Sequence, residues 1–344
     1  MLFFKRDIGL DLGTSSVLVF IKGKGIVLCE PSVVSLDKNT GKLLKVGTDA
    51  QKMLGRTPEN IITIRPLHEG VISDYKITEQ MIRKFLHKVI RFNFIKPRIV
   101  ICVPSGITKV EEHAILDAGM QAGAGKVYLI EEPIAAAIGA GIDIAKPNGH
   151  MIVDIGGGTT DIAVISLGGI VKSASIKTAG DAFDSAVIKY IRRKYNVAIG
   201  ERTAEELKMN IGCVFPPPEE KSMKVKGRCL MTGLPKSFTI TSLEMLEAFK
   251  EVTVRIVEAI CLVFESTPPE LVADIYTSGI IMTGGGSLVW GFNKLIEDKT
   301  GIMTKMANDA ISSVAYGTGK ILETLDKMQH NTIHLSRKNK RKYK

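Results

Sequence analysis

Two short loops carry the residues best suited to hold a charged ligand. The first reads Asp11-Leu12-Gly13-Thr14-Ser15-Ser16, and the second Asp154-Ile155-Gly156-Gly157-Gly158-Thr159-Thr160. Glycine lets backbone N–H groups come close to an anion, and hydroxyls add donors. An aspartate at a strand end can hold Mg²⁺ through the metal's waters. Either loop alone reads equally well as an ordinary hairpin turn. The continuation makes the pair informative. After the first loop come an apolar run to Ile21, a Gly23/Gly25 turn and Ile26-Val27; after the second come Asp161 to Ser166, a Gly168-Gly169 turn and Ile170-Val171. This internal echo predicts two similar domains, each with its own phosphate hairpin, gripping a triphosphate and its metal from both sides.

A third glycine loop, Thr283-Gly284-Gly285-Gly286-Ser287-Leu288, follows the apolar run Ile280–Met282 and suits close approach to a nucleoside. Glu131-Glu132-Pro133 sits between the two phosphate loops. A carboxylate there can orient or deprotonate a water for attack on a γ-phosphate, or merely favour a helix N-terminus. Gly319-Lys320 is followed by Ile321 and lacks the leading glycine of a P-loop, and no GxGxxG follows a strand.

The elements that must position these loops alternate between strand and helix, which predicts an α/β protein. Strands are expected at Asp7–Leu10, Val17–Ile21, Arg98–Val103, Val127–Ile130 and Met151–Ile155. Met81, Ile82, Phe85, Leu86, Val89 and Ile90 keep a helical period, with Thr78 as N-cap. Ala114–Ala122 reads as helix, and Pro133 opens another. Thr241 and Glu244 form a capping box before a helix whose apolar face is expected to hold Leu243, Leu246, Phe249, Ile256, Ile260 and Val263.

Composition sets the outer bounds. The chain has 344 residues, 45% hydrophobic and 24% charged, enough for one large or two medium cores. No apolar run approaches the roughly 20 residues of a spanning helix, and the start, Met1 to Arg6, is too short for a signal peptide. These features predict a cytoplasmic protein. The five cysteines form no CxxC pair and read as reduced thiols, not a zinc site or disulfide framework. The net charge is +10, and Arg337 to Lys344 alone hold six positive charges. That tail is either a solvated end or a contact for anionic lipid or nucleic acid.

Taken together, the motifs resemble those of the actin, hexokinase and heat-shock chaperone ATPase superfamily. Within it the chain is similar to the MreB/Mbl family of bacterial actin-like cell-shape proteins. The resemblance rests on Gly9–Thr14, Lys24–Val34, Arg65–Asp74, Glu131–Ala137, Val153–Asp161, Ile199–Glu205, Thr267–Leu271 and Thr283–Leu288, and spans roughly residues 5 to 325. It implies an actin-like (ribonuclease-H-like), duplicated, two-lobed α/β ATPase fold with ATP in a central cleft. The implied subdomains are IA (1–31, 71–145 and 315–335), IB (32–70), IIA (146–181 and 248–314) and IIB (182–247), with 336–344 a basic tail. Gly13, Thr14, Ser15 and Ser16 would hold phosphate, with Gly156, Gly157, Gly158, Thr159 and Thr160 opposite. Asp11 and Asp154 would hold Mg²⁺ through water. The helix with Glu205, Glu206, Leu207, Lys208 and Met209 would flank ribose and adenine, and Gly284, Gly285, Gly286, Ser287 and Leu288 the nucleoside. Glu132, with Thr159, would position the attacking water, and Glu131 would assist. Ser15-Ser16 departs from the Ala-Asn common in the family, which puts phosphate affinity or turnover in question. Asp161 replaces a common glutamate, as in Mbl-type chains.

The resemblance also implies paired protofilaments of the chain itself. Further implied partners are related actin-like paralogues, membrane-embedded cell-wall elongation proteins and the inner face of the cytoplasmic membrane. The filaments would direct peptidoglycan synthesis and rod shape. Leu2, Phe3 and Phe4, and Phe92, Phe94 and Ile95, are apolar residues flanked by cations and are the candidates for that membrane contact. A sugar or acetate kinase would need a sugar pocket in addition. A chaperone-like switch would need a peptide-binding domain beyond residue 330. Specific nucleic-acid binding is disfavoured, because the tail has no interleaved aromatics.

Overall fold

The computed structural model describes residues 7–89, 96–324 and 334–335. The candidate membrane residues Leu2, Phe3, Phe4, Phe92, Phe94 and Ile95, and the basic tail from 336, lie outside that range. The described chain divides into two compact units, one running to Asp143 and resuming at Ser312, the other spanning Ile144–Ile311.

The first unit runs β1 (Ile8–Leu12), β2 (Ser16–Ile21), β3 (Gly25–Pro31), β4 (Val34–Asp37), β5 (Leu43–Val46), α1 (Thr48–Gln51), β6 (Ile61–Ile64), β7 (Leu67–His68), β8 (Val71–Ile72), α2 (Tyr75–Val89), β9 (Arg98–Val103), α3 (Lys109–Gln121), β10 (Lys126–Glu131) and α4 (Glu132–Gly139). The second holds β11 (His150–Ile155), β12 (Thr160–Ser166), β13 (Gly169–Ile176), α5 (Gly180–Tyr195), β14 (Val197–Ala198), α6 (Glu201–Ile211), β15 (Ser222–Cys229), β16 (Pro235–Thr241), α7 (Ser242–Glu265), α8 (Pro269–Ser278), β17 (Ile280–Thr283), a 3-10 turn at Gly285–Leu288, α9 (Phe292–Thr300) and β18 (Thr304–Met306). The chain then returns to the first unit as α10 (Ser313–Thr324) and β19 (His334–Leu335).

The sequence echo becomes a repeated topology. The first unit's main sheet is ordered β19-β10-β9-β1-β2-β3, and the second's β13-β12-β11-β17-β18. In each, the leading strand pairs antiparallel with the next and parallel with a later strand: β1 with β2 and β9, β11 with β12 and β17. Each hairpin also carries a register shift at its second pairing, at Val19/Phe20 and at Val164/Ile165. Smaller sheets β5-β4-β6 and β14-β15-β16 complete the units.

Burial follows the strand pattern. β9 and β11 are nearly continuous apolar runs with buried side chains, as parallel strands covered on both faces require. In the second unit Phe183 of α5 meets Phe249 and Phe292 edge-on at 4.7 and 5.9 Å, tying α5, α7 and α9 together. In the first, α4 and α10 touch through small residues. A Cβ on Gly317 would come within 1.8 Å of the Ala135 carbonyl oxygen, and one on Gly139 within 1.8 Å of that of Ser313.

Three local readings change. Thr78 lies inside α2, where its hydroxyl donates to the Asp74 carbonyl at 2.7 Å. Asp74 does the capping instead, its Oδ1 accepting from Ile77 N–H at 2.9 Å. The α7 capping box forms as expected, but Leu243 is 48% exposed. The buried stripe is centred on Met245, Phe249, Val252 and Ile256, and Leu243 falls about 200° around the helix from Met245. The helix at Ala114 begins earlier, at Lys109, because Thr108 and Glu111 form a second capping box.

Candidate functional site

Each unit brings its loop to the C-terminal ends of its parallel strands, where open α/β sheets bind ligands. Asp11 is the penultimate residue of β1 and Asp154 that of β11, so the two aspartates hold equivalent places in the two sheets.

In the first unit the loop after β1 is stitched from two sides. Ser32 donates its hydroxyl to the Gly13 carbonyl at 2.6 Å and its N–H to the Ser15 carbonyl at 2.9 Å. Thr14 is buried, and its hydroxyl accepts from Gly70 N–H at 3.0 Å. That bond engages a Thr14 lone pair and leaves its proton to donate. Ser15 and Ser16 are half-buried. Sequence reading named neither Ser32 nor Gly70, although both lie in stretches it singled out. Their signal is a small hydroxyl residue after a strand and a glycine in a tight turn, both common. Asp11 keeps partial exposure, yet surrounding protein desolvates its carboxyl and pushes it up to about 7. A desolvated carboxyl at the end of a strand, beside a glycine and hydroxyl loop, suits a site that a cation completes.

Glu131 ends β10 and Glu132 begins α4, followed by Pro133 in the first turn. β10 lies two strands from β1, so Glu131 and Asp11 share one sheet end about 10 Å apart.

In the second unit three stretches distant in sequence meet. β11 and β17 pair with Asp154 opposite Thr283, which sets the third glycine loop beside the second phosphate loop. Gly284 has φ +82°, and a Cβ there would lie 2.3 Å from Asp154 Oδ1 and from the Ile155 carbonyl oxygen. A Cβ on Gly286 would lie 2.7 Å from the Ile155 side chain and 3.0 Å from the Gly156 carbonyl oxygen. Asp154 and Asp161 face each other across the strand pair, 4% and 1% exposed. Two carboxyl groups directly opposite one another can flank a cation. Among the described residues no three His, Cys, Asp or Glu side chains form a metal cage. A Mg²⁺ here would take most of its ligands from water and phosphate, as that ion commonly does.

The loop's shape favours an anion. Gly156 N–H donates to the Thr159 carbonyl at 2.9 Å, closing the turn. The carbonyls of Gly156 and Gly157 accept from Gly180 and Asp181 N–H, at 3.1 and 2.8 Å. In a trans peptide the C=O and N–H point in opposite directions, so the N–H groups of Gly157 and Gly158 turn away from α5. Two adjacent N–H groups on one side make an anion cradle.

Other predicted residues have structural duties. The Thr160 hydroxyl donates to the Thr178 carbonyl at 2.7 Å, and that of Ser287 to the Gly284 carbonyl at 2.6 Å. Leu207 is core, while Met209 and Leu288 are exposed. Glu205 and Glu206 lie half-buried on α6, Glu206 accepting from Arg202 at 3.0 Å. Lys208 points to α5, 2.8 Å from Asp184.

The family model for MreB/Mbl proteins matches residues 5–330. The chain belongs to the MreB/Mbl family. It is 52% identical to the cell shape-determining protein Mbl of Bacillus cereus, over 96% of this chain and 99% of the relative. It is 47% identical to the cell shape-determining protein MreB of Escherichia coli, over 94% and 95%. The crystal structure of MreB5 of Spiroplasma citri bound to AMPPNP superimposes with a TM-score of 0.90 at 39% identity, covering 94% and 97%. The MamK double helical filament shares the fold at a TM-score of 0.80 and 22% identity, covering 92% and 98%. The fold of this MreB/Mbl chain is therefore actin-like.

Proposed function

We propose that the chain is an actin-like cytoskeletal ATPase that binds Mg·ATP, polymerises into paired protofilaments and hydrolyses ATP slowly. The observation that carries this reading is the repeated placement of Asp11 and Asp154, each before a glycine and hydroxyl loop at the same position of its sheet. Relatives support it: an MreB binds AMPPNP and another structure holds ADP. Each loop would hold nucleotide phosphate, and Asp11 and Asp154 are the positions that would hold Mg²⁺ through water. The metal supplies charge neutralisation on the phosphates. The Gly157 and Gly158 N–H groups bind phosphate oxygens, Glu132 with Thr159 orients the attacking water, and α6 flanks the nucleoside.

The relatives, cell shape-determining proteins, support a cell-shape role, which in this reading is exercised by filaments at the inner face of the cytoplasmic membrane working with membrane-embedded elongation proteins on peptidoglycan. Sheet register supports a single membrane-facing end. β1, β9 and β10 run parallel, with Ile8, Ile99 and Val127 level. The first residues of β1 and β9 therefore lie at one end of the sheet, and the candidate membrane residues precede these two strands in the sequence. Arg98 and Asp7 pair there at 2.5 Å. β19 runs antiparallel to β10, so Leu335 is nearer that same end than His334. Among the described residues no helix is long and apolar enough to cross a membrane.

Phosphate release tests the enzymatic part. Glu132→Gln is expected to bind Mg·ATP as the wild type does and to hydrolyse it about 100-fold more slowly, the scale of a lost general base. Failure of the wild type to bind Mg·ATP would refute the reading.

A further inference from the structure

A continuous chain of bonds runs from α6 to the second glycine loop. The Lys208 ammonium lies 2.8 Å from Asp184 Oδ2 and donates to the Gly180 carbonyl at 3.2 Å. Gly180 and Asp181, the first residues of α5, donate in turn to the carbonyls of Gly156 and Gly157. The Lys208 and Asp184 side chains are only 12% and 14% exposed. The second carboxylate oxygen of Asp184 is buried with no hydrogen-bond partner among the described residues. Burial pushes this carboxyl up to about 6 even against the pull of Lys208. A desolvated pair of this kind adds little to stability compared with an apolar contact of the same size. What it adds is direction: the carboxylate fixes the ammonium onto the Gly180 carbonyl. That carbonyl belongs to the residue whose own N–H holds the Gly156 peptide in place.

We propose that Lys208, held by Asp184, is a positioning residue that braces the start of α5 from α6 and thereby sets the aim of the Gly157 and Gly158 N–H groups. Lys208 joins the helix assigned to the nucleoside to the loop assigned to the phosphates, so that occupancy of one is felt at the other. The inference rests on the nucleotide reading of these loops.

The test uses the full chain as wild type, Lys208→Met, Asp184→Asn, the double variant and Lys208→Arg. Two quantities are read: hydrogen exchange of the 156–160 segment without ligand, and the dissociation constant for Mg·ATP. Each single variant is expected to speed exchange and weaken Mg·ATP binding by about 10-fold, with the double variant no worse than either, as for two residues acting through one contact. Lys208→Arg, which keeps the charge and the donors, is expected to restore most of both. The double variant leaves no unpaired buried charge and keeps the test valid if Lys208→Met fails to fold. Normal exchange in the Lys208→Met or the double variant would overturn the proposal. So would an Asp184→Asn protein that binds like the wild type while Lys208→Met does not, which would make Lys208 a direct ligand contact. If the wild type binds no Mg·ATP yet the exchange effect is present, the brace stands and the nucleotide reading falls.

Discussion

At the residue scale, the site depends on a few positions where no other side chain fits. Gly284 combines a left-handed backbone with contact on Asp154 and Ile155. Gly284→Ala is expected to destabilise the protein by about 2 kcal/mol, within the range for a strained backbone position, and a thermal melt reads it directly. The two raised carboxyls carry a pH signature. Asp184 and Asp11 are lifted from 3.8 to about 6 and about 7. A folded state with raised acid pKa values binds protons that the unfolded chain has already released. Its stability is therefore fullest below pH 3.8 for these groups and falls as pH rises through 6 to 7. Denaturant melts of the ligand-free protein are expected to show that decline, and Asp184→Asn to flatten it between about pH 4 and 6. An unchanged slope in the variant would remove Asp184 from the account. These residues also show where sequence reading ends. The motifs announced Asp11, Asp154 and the glycines, because chemistry restricts those types. Ser32, Gly70 and Asp184 were not legible, since a serine, a glycine and an aspartate are ordinary until a partner is placed beside them. Thr160 and Ser287 read as nucleotide-binding positions in the sequence, and only the fold shows that their hydroxyls also donate to the Thr178 and Gly284 carbonyls.

At the element scale, the strands and most helices were legible because apolar runs and capping boxes are local signals. The start of α2 and the exposure of Leu243 were not, because they depend on which face packs. The α4–α10 crossing was also invisible, being set by contacts between residues on either side of the inserted second unit. It matters because α4 begins at Glu132. Gly317→Ala would drive a methyl into the Ala135 carbonyl. It is expected to cost roughly 1–3 kcal/mol as an overpacked contact and, by shifting α4, to slow ATP hydrolysis more than it weakens ATP binding. Equal losses in both would mean that the crossing supports the fold without aligning Glu132. Thr241→Ala, which removes the α7 cap, is expected to cost about 1 kcal/mol with no effect on nucleotide affinity.

At the scale of the whole molecule, two units repeat one topology, each leading strand ending in an aspartate and a glycine loop. The duplication was legible as an echo in the sequence; the common end of β1, β9 and β19 was not, because register is a long-range property. Removing residues 1–6, or replacing Phe92 and Phe94 with serine, is expected to weaken sedimentation with anionic vesicles by about 10-fold each in filaments, since many shallow contacts act together. The most direct measurement is electron microscopy of the purified protein on an anionic lipid monolayer with Mg·ATP, with ADP and without nucleotide. Paired filaments are expected on the lipid with Mg·ATP, and few or none without nucleotide. Dispersed particles under all three conditions, from protein that demonstrably binds ATP, would contradict the filament reading.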